Sequence, residues 1–420
     1  MKPNLVISCP ATSRSGYGDH SRDLIRSLIA MDKFNVQIID QRWGSCSRDA
    51  LQPKDTDIYS RFIDPNLTEQ PDIWIQVTVP NEFQAVGKFN IGITAGMETT
   101  LVDVEWVQGI NRMDYILVPS VHSKEVFEQT FYDQKDRAGN ITGRLKCETK
   151  IDVLFEGLDM EVFNKTKSNF ELDIKEDFAF LFVGHWLQGE FSHDRKDVGG
   201  MIRTFLETFK NTSKRNQPAL VLKTSSASFS VGDRQEILKK IAAIKSSVEG
   251  EQLPNIYLVH GDLSQEELNG LYNHDKIKAM ISFTHGEGFG RPLLEFSVTG
   301  KPVLYSNWSG HIDFLSEHGI PLAGELKEID KSAVVPKMIL AESKWFYVNY
   351  GYASGALKDV FKNYKKHLEK TRKQTQYVKE NFSLTKMTEV FTEIVNNNVP
   401  IQPTMAPSIM QNEELLSIQE

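Results

Sequence analysis

Cysteine is scarce in this chain. Cys9, Cys46 and Cys147 are the only three in 420 residues, odd in number and widely scattered. They make no disulfide framework, and a reducing cytoplasm is the compartment they predict. Long apolar runs are missing as well. No window approaches the roughly 20 apolar residues that span a bilayer. The opening "MKPNLVISCPATSRSG" has one lysine and an apolar run too short for a secretory h-region. The triplets "NLT" at Asn66 and "NWS" at Asn307 then read as chance matches to a glycosylation signal. The ten histidines contain no paired spacing such as His-Glu-x-x-His, so no structural metal is expected. An excess of positive charge is also lacking: the net charge of −8 argues against wholesale coating of nucleic acid, while leaving room for a local basic patch.

What is present is a globular composition, 40% hydrophobic and 25% charged, in a chain too long for one core of ordinary size. Two domains are the starting expectation. Short β-rich runs alternate with helical stretches: "NLVIS" (4–8), "NVQIID", "DIWIQV", "NIGIT" and "YILVPS" in a first series, then "FAFLFVG" (178–184), "ALVLKT", "IYLVHGD", "KAMISF" and "KPVLYS" in a second. "HSRDLIRSLIAM" (20–31), "SKEVFEQTF" with Ser120 or Ser123 as N-cap, and "RQEILKKIAAIKSSV" carry apolar residues at helical spacing. Strand, helix, strand in repeated order predicts an α/β fold of parallel sheets with helices on both faces. The polar stretch "KTKSNFELDIKED" reads as the linker between the two series. The stretch 354–382 reads as one long lysine-rich helix, and the proline-bearing end as a flexible tail.

The densest chemistry lies in "HGEGFGRPLLEFSVTGKPVLYSNWSG" (285–310), where Glu287 and Glu295 stand with seven residues between them around a glycine-rich turn. Gly286, Gly288 and Gly290 permit a tight turn and close approach to a ligand, and Pro292 opens a helix. The helix start attracts a diphosphate. Two carboxylates there make sense flanking the phosphates and gripping neutral hydroxyls, Glu295 those of a ribose and Glu287 those of a sugar. A plain βα turn with a solvated and a capping glutamate is the other reading of those residues alone.

The whole pattern resembles the nucleotide-sugar signature of family-4-like retaining glycosyltransferases of the GT-B fold. Other landmarks follow in order over residues 1 to about 395: "SRSGYGDHS", "VPSVHSKEVF", the hinge "VLFEGLDMEVF" with Phe155 in place of the family proline, and "FLFVGHW" followed by "DRKD". The resemblance implies two Rossmann-like domains facing across a cleft, with C-terminal helices crossing back to the first. It divides the chain into an acceptor domain (1–170), a nucleotide-sugar domain (171–350), crossing helices (351–397) and a tail (398–420). It implies that Lys196, with Arg195 beside it, neutralises the donor diphosphate, His185 standing where relatives often have arginine. Such cations stabilise a departing nucleoside diphosphate. Donor contacts are expected from Gly16, Gly18, His185, Leu263, Gly288, Phe289, Gly290 and Glu295, and catalytic roles from Lys196, Glu287 and Arg195. "GDLSQEELNGLY" (261–272) reads as a base-contacting loop with Ser264 capping a helix. Arg14, His20, Arg22 and Glu98 are acceptor-side candidates, each also readable as a surface or capping residue. "DTD" (55–57) reads as surface loop.

The implied activity is a retaining, metal-independent hexosyl or pentosyl transfer from a UDP- or GDP-linked sugar to a hydroxyl acceptor, a glycan or glycolipid by default, with no cofactor. A sugar-nucleotide epimerase and a non-catalytic nucleotide-sugar-binding subunit are the alternatives. "VPNEFQAVGKFNIGITAGMETT" (79–100) also looks like glycosyltransferases of tailed-phage genomes, which implies host cytoplasm and admits modified DNA bases as acceptor. The eight Lys or Arg of 358–379, against Asp359 and Glu369, fit DNA phosphates, anionic lipid or a solvated face.

Overall fold

The computed structural model describes residues 2–400, apart from 45, 227–228 and 316–317. The first sheet is built from β1 (Asn4–Cys9), β2 (Asn35–Asp40), β3 (Ile73–Val77), β4 (Phe89–Ile93) and β5 (Tyr115–Val118). A separate antiparallel hairpin follows, β6 (Phe131–Lys135) and β7 (Ile141–Lys146), before β8 (Ile151–Val153) closes the edge. The second sheet holds β9 (Ala179–His185), β10 (Ala219–Ser225), β11 (Ile256–Val259), β12 (Ile277–Ser282), β13 (Val303–Ser306) and β14 (Ile320–Leu322). A further hairpin, β15 (Gly324–Glu328) with β16 (Lys344–Val348), comes after it.

Both six-stranded sheets are parallel, in the orders β2-β1-β3-β4-β5-β8 and β11-β10-β9-β12-β13-β14. Their strands read as nearly continuous apolar runs because helices cover both faces. The helices are α1 (Gly16–Met31), α2 (Thr56–Tyr59), α3 (Val104–Ile110), α4 (Val121–Gln129), α5 (Val198–Phe209), α6 (Val231–Ser246), α7 (Gln265–Asn273), α8 (Arg291–Ser297) and α9 (Ile312–Leu315). Three more, α10 (Tyr350–Lys362), α11 (Tyr364–Asn381) and α12 (Leu384–Asn398), end the described chain. In the second sheet the strand order reverses between β9 and β12, the point at which open α/β sheets form a crevice at their carboxyl ends.

Every strand run expected from sequence is a strand here, within a residue or two, except that β11 stops three residues before the end of "IYLVHGD". The hairpins β6–β7 and β15–β16 were not expected. β6, β7 and β15 are mostly exposed and carry no clean alternation, while β16 is a buried aromatic run, "KWFYV", that the sequence reading passed over. The lysine-rich 354–382 segment is two helices, interrupted at Asn363. Neither crosses back: α10 packs on α5, and α11 on α8 and α9. The crossing is made by α12, whose Met387, Phe391 and Val395 repeat at helical spacing and sit in the core of the first sheet beside Leu24 and Leu28 of α1. "DTD" is not plain loop either: Asp55 precedes α2, is buried, and accepts from the Gln52 amide and Arg26. Of the expected tail, 401–420 lies outside the described residues. Among the described residues no helix is long and apolar enough to cross a membrane.

Candidate active site at the domain cleft

Two loops meet at the carboxyl edge of the second sheet. The one after β9 carries Arg195 and Lys196; the one after β12 carries Glu287. They are tied by the His285 amide, which donates to the Arg195 carbonyl at 2.8 Å. Asp197, at φ 47°, ends the first loop and caps α5 by accepting from the Gly200 amide, with the Tyr350 hydroxyl on its second oxygen at 2.7 Å. This fixes the direction of Lys196.

Lys196 and Glu287 are both buried and hydrogen-bonded to each other. Arg195 adds a contact to Glu287 at 3.4 Å and reaches Glu98, on the segment after β4, also at 3.4 Å. Glu98 thus brings the first domain's edge against the cations of the second. Burial works to raise the Glu287 carboxyl, but Lys196 and Arg195 outweigh it and hold the group down at about 2. Burial likewise works against the Lys196 charge, with Glu287 opposing it. His185 is exposed at the end of β9, its Nδ1 3.1 Å from the Ser225 hydroxyl.

The glycine turn approaches closely, and what it approaches is the first domain. A Cβ on Gly288 would stand 2.0 Å from the Ala95 carbonyl oxygen, and the Gly288 carbonyl accepts from Ser120 at 2.6 Å. Gly290 caps α8 at φ 97°, a left-handed conformation that a side chain resists. Phe289 points inward, buried against Phe314 and Phe382, and is no wall of the cleft.

Beside the turn is a second charged cluster that sequence reasoning missed. Arg291 is buried and donates to Asp23 of α1 at 2.9 Å and to Glu295 at 3.3 Å, with Glu156 of the hinge at 3.8 Å. The other Glu295 oxygen accepts from Tyr272 at 2.9 Å. Burial raises both Glu156 and Glu295 to about 7, with Arg291 acting against it. Glu295 is therefore at the cleft but fully engaged by protein groups. The signal that could have exposed the cluster is an arginine inside the glycine motif, at a position where the chain needs a counter-charge.

The first domain's candidates divide. Ser15 caps α1 by accepting from the Gly18 amide, so the helix begins at Gly16 and takes in residues expected to form a loop. Gly16 and Gly18 lie in its first turn, Gly18 packed on the Ser13 carbonyl. Arg14 spans the cleft, bonding Asp49 and Asp262, each at 2.8 Å. His20 is no surface residue: it is buried, its Nδ1 has no partner, and burial beside Arg291 pushes its pKa down to about 3. Arg22 is buried on the Ala11 and Ser13 carbonyls and serves the loop. Leu263 is half-buried, and Ser264 forms the expected cap of α7 as a full capping box with Glu267. Among the described residues no three His, Cys, Asp or Glu side chains are grouped as a metal site.

No family model and no curated protein matches this chain. Solved structures do. Sucrose-phosphate synthase from Thermosynechococcus elongatus aligns over 94% of this chain and 99% of its own at TM-score 0.62 and 12% identity. A glycosyltransferase from Rickettsia africae aligns over 96% and 100% at TM-score 0.59 and 12% identity. Anabaena HepE, solved with UDP and glucose, aligns over 94% and 99% at TM-score 0.55 and 10% identity. The fold is GT-B. In GT-B terms the two parallel sheets are its facing Rossmann-like halves, and the Arg195–Lys196–Glu287–Glu98 constellation lies where they meet.

Proposed function

We propose that this protein is a glycosyltransferase that moves a sugar from a UDP- or GDP-linked donor to a hydroxyl acceptor. The observation that carries the reading is the buried Lys196–Glu287 pair with Arg195, placed at the reversal of strand order in the second sheet. A donor diphosphate entering there competes with Glu287 for the two cations. Lys196 and Arg195 then face the charge that grows as the glycosidic bond breaks, and such preorganised charge lowers the barrier. Glu287, released from Lys196, is placed to accept hydrogen bonds from hydroxyls of the sugar. Glu295 turns from Arg291 and Tyr272 to the ribose.

We further propose retention of configuration without a metal. No protein nucleophile is assigned: once the diphosphate takes Lys196 and Arg195, Glu287 is engaged by hydroxyls of the sugar. Attack from the donor's own face, with the leaving phosphate accepting the acceptor's proton, asks of the protein only positioning and electrostatics. Similar solved structures, a glycosyltransferase and HepE with UDP and glucose among them, support the donor class.

The test is a panel of UDP- and GDP-sugars, with and without EDTA, followed for donor hydrolysis and for the anomeric configuration of any product. Slow hydrolysis of one donor, unaffected by EDTA and giving a retained anomer, is expected. Interconversion of the nucleotide sugar without cleavage marks an epimerase, and tight binding without turnover a non-catalytic subunit.

A further inference from the structure

Packing accounts for five of the six tryptophans. Trp74, Trp106, Trp186 and Trp345 are buried, and Trp308 packs on two cores. Trp43 differs. It is half-buried, joins no apolar cluster of the described residues, and sits in the polar run that follows β2. One ring face is covered by Tyr17, with centroids 4.1 Å apart and planes at 29°. The indole keeps part of its surface exposed.

The stack is anchored to the cleft. The Tyr17 hydroxyl lies 3.1 Å from the Thr94 hydroxyl and accepts from the Ala95 amide at 3.0 Å. Those residues begin the short segment that carries Glu98 to Arg195. The Trp43 loop is sewn to the turn before α1 by two backbone bonds, Arg14 to Ser47 at 2.9 Å and Ala50 to Thr12 at 3.1 Å. Arg14 in turn reaches across to Asp262 of the second domain.

A partly wetted indole forgoes part of the stabilisation that burial of so large a side chain provides. Its electron-rich face suits the polarised C–H groups of a pyranose, while the ring's hydroxyls stay free for polar partners. Of the cations around it, Arg14 is paired with Asp49 and Arg48 with Asp40, while Arg42 donates to the Gly44 carbonyl, so a phosphate chain is the competing occupant that the test includes. We infer that Trp43, backed by Tyr17, is a platform for the acceptor, and that the acceptor is a saccharide whose pyranose face lies on the indole. This rests on the glycosyltransferase reading, and it names the acceptor class that reading leaves open.

The experiment uses the full chain, with Trp43→Ala and Trp43→Phe, a panel of methyl hexopyranosides and short oligosaccharides, and oligo-dT as the competing class. Saturation-transfer NMR reads saccharide contact without any turnover. Steady-state transfer reads acceptor KM, and calorimetry reads donor affinity. Trp43→Ala should abolish the saccharide contact and raise acceptor KM about tenfold, with kcat and donor affinity unchanged within about twofold. Trp43→Phe should recover most of the loss. Saccharide contact that survives Trp43→Ala, an equal loss of donor affinity, or contact with oligo-dT in place of saccharides overturns the platform. A wild-type protein that contacts saccharides through Trp43 but cleaves no donor leaves the platform standing and sinks the transferase reading instead.

Discussion

Lys196 and Glu287 neutralise each other inside the protein, and this separates their roles in folding and in turnover. Removing one partner of a buried pair leaves the other uncompensated, which costs about 3–5 kcal/mol. Lys196→Ala should therefore lower both turnover and Tm, since Arg195 at 3.4 Å replaces only part of the lost charge. The double variant Lys196→Ala/Glu287→Gln removes the orphaned charge and should regain much of the Tm without regaining activity. A double variant that regains activity together with Tm would mean that Lys196 serves the fold alone. Glu295→Ala tests a different step. If the ribose takes this carboxylate, donor affinity by calorimetry should fall by about 1.5–3 kcal/mol, the range for a hydrogen bond to a charged group. Unchanged affinity in a folded variant removes Glu295 from the site. Glu287 and Glu295 were legible in the sequence because motif spacing ties them to one turn, whereas Lys196, on another loop 91 residues away, was marked only by the family resemblance. Arg291 and Asp23 were not, because the bonded pair lies 268 residues apart and only tertiary packing joins it.

At the scale of elements, period was a better guide than composition. The parallel strands were legible as apolar runs, and α12 could have been read as the crossing helix from Met387, Phe391 and Val395. The lysines drew attention to α11 instead, although its buried face holds His367, Thr371, Gln374 and Val378 against the second domain. Phe391 is fully buried between the first sheet's core and α1. Phe391→Ala should destabilise the protein by about 3–5 kcal/mol, read as a shift in the urea midpoint. Little change would mean that the crossing helix is not integral to the first domain. The cations of α11 fall into two rows: Lys365, Arg372 and Lys379 on one, Lys366, Lys370 and Lys373 on the other, at about 100° per residue. Glu369, Gln376 and Glu380 run between them, so the outward face has an acidic midline where a phosphate backbone would lie. The expected result of a gel-shift with modified and unmodified duplex DNA is no complex at about 0.15 M salt. A complex that weakens steeply with salt, and that Lys366→Glu/Lys373→Glu abolishes, would restore DNA as an acceptor.

For the whole molecule, closure of the two domains places Asp23, Glu156 and Glu295 around the single guanidinium of Arg291, with Asp19 close enough to act on the same groups. Glu156 and Glu295 have folded-state values of about 7 against 4.5 when free. Between those values the folded protein holds more protons than the unfolded chain, so stability falls as pH rises through this window. The contribution is complete below pH 4.5 and is lost as pH passes 7. Glu287, held down at about 2, acts in the opposite sense, but only in acid, where its stabilisation is lost as pH falls toward 2. Buried histidines oppose the cluster: His20, held down at about 3, and His122 and His285, at about 4, withhold stability below pH 6.5. The cluster's share is therefore read as the difference in Tm between Glu156→Gln and the wild type, at pH 5.5 and at pH 8. Because the cluster spans α1, the hinge and α8, part of the strain at high pH can be relieved by opening, and the radius of gyration by X-ray scattering should rise in parallel. Glu156→Gln keeps the shape and removes one carboxylate, so it should raise Tm more at pH 8 than at pH 5.5, where part of the contribution is still present, and flatten the scattering trend. If Glu156→Gln raises Tm equally at both pH values, or lowers it at pH 8, the cluster is a settled set of ion pairs and closure does not depend on its protons.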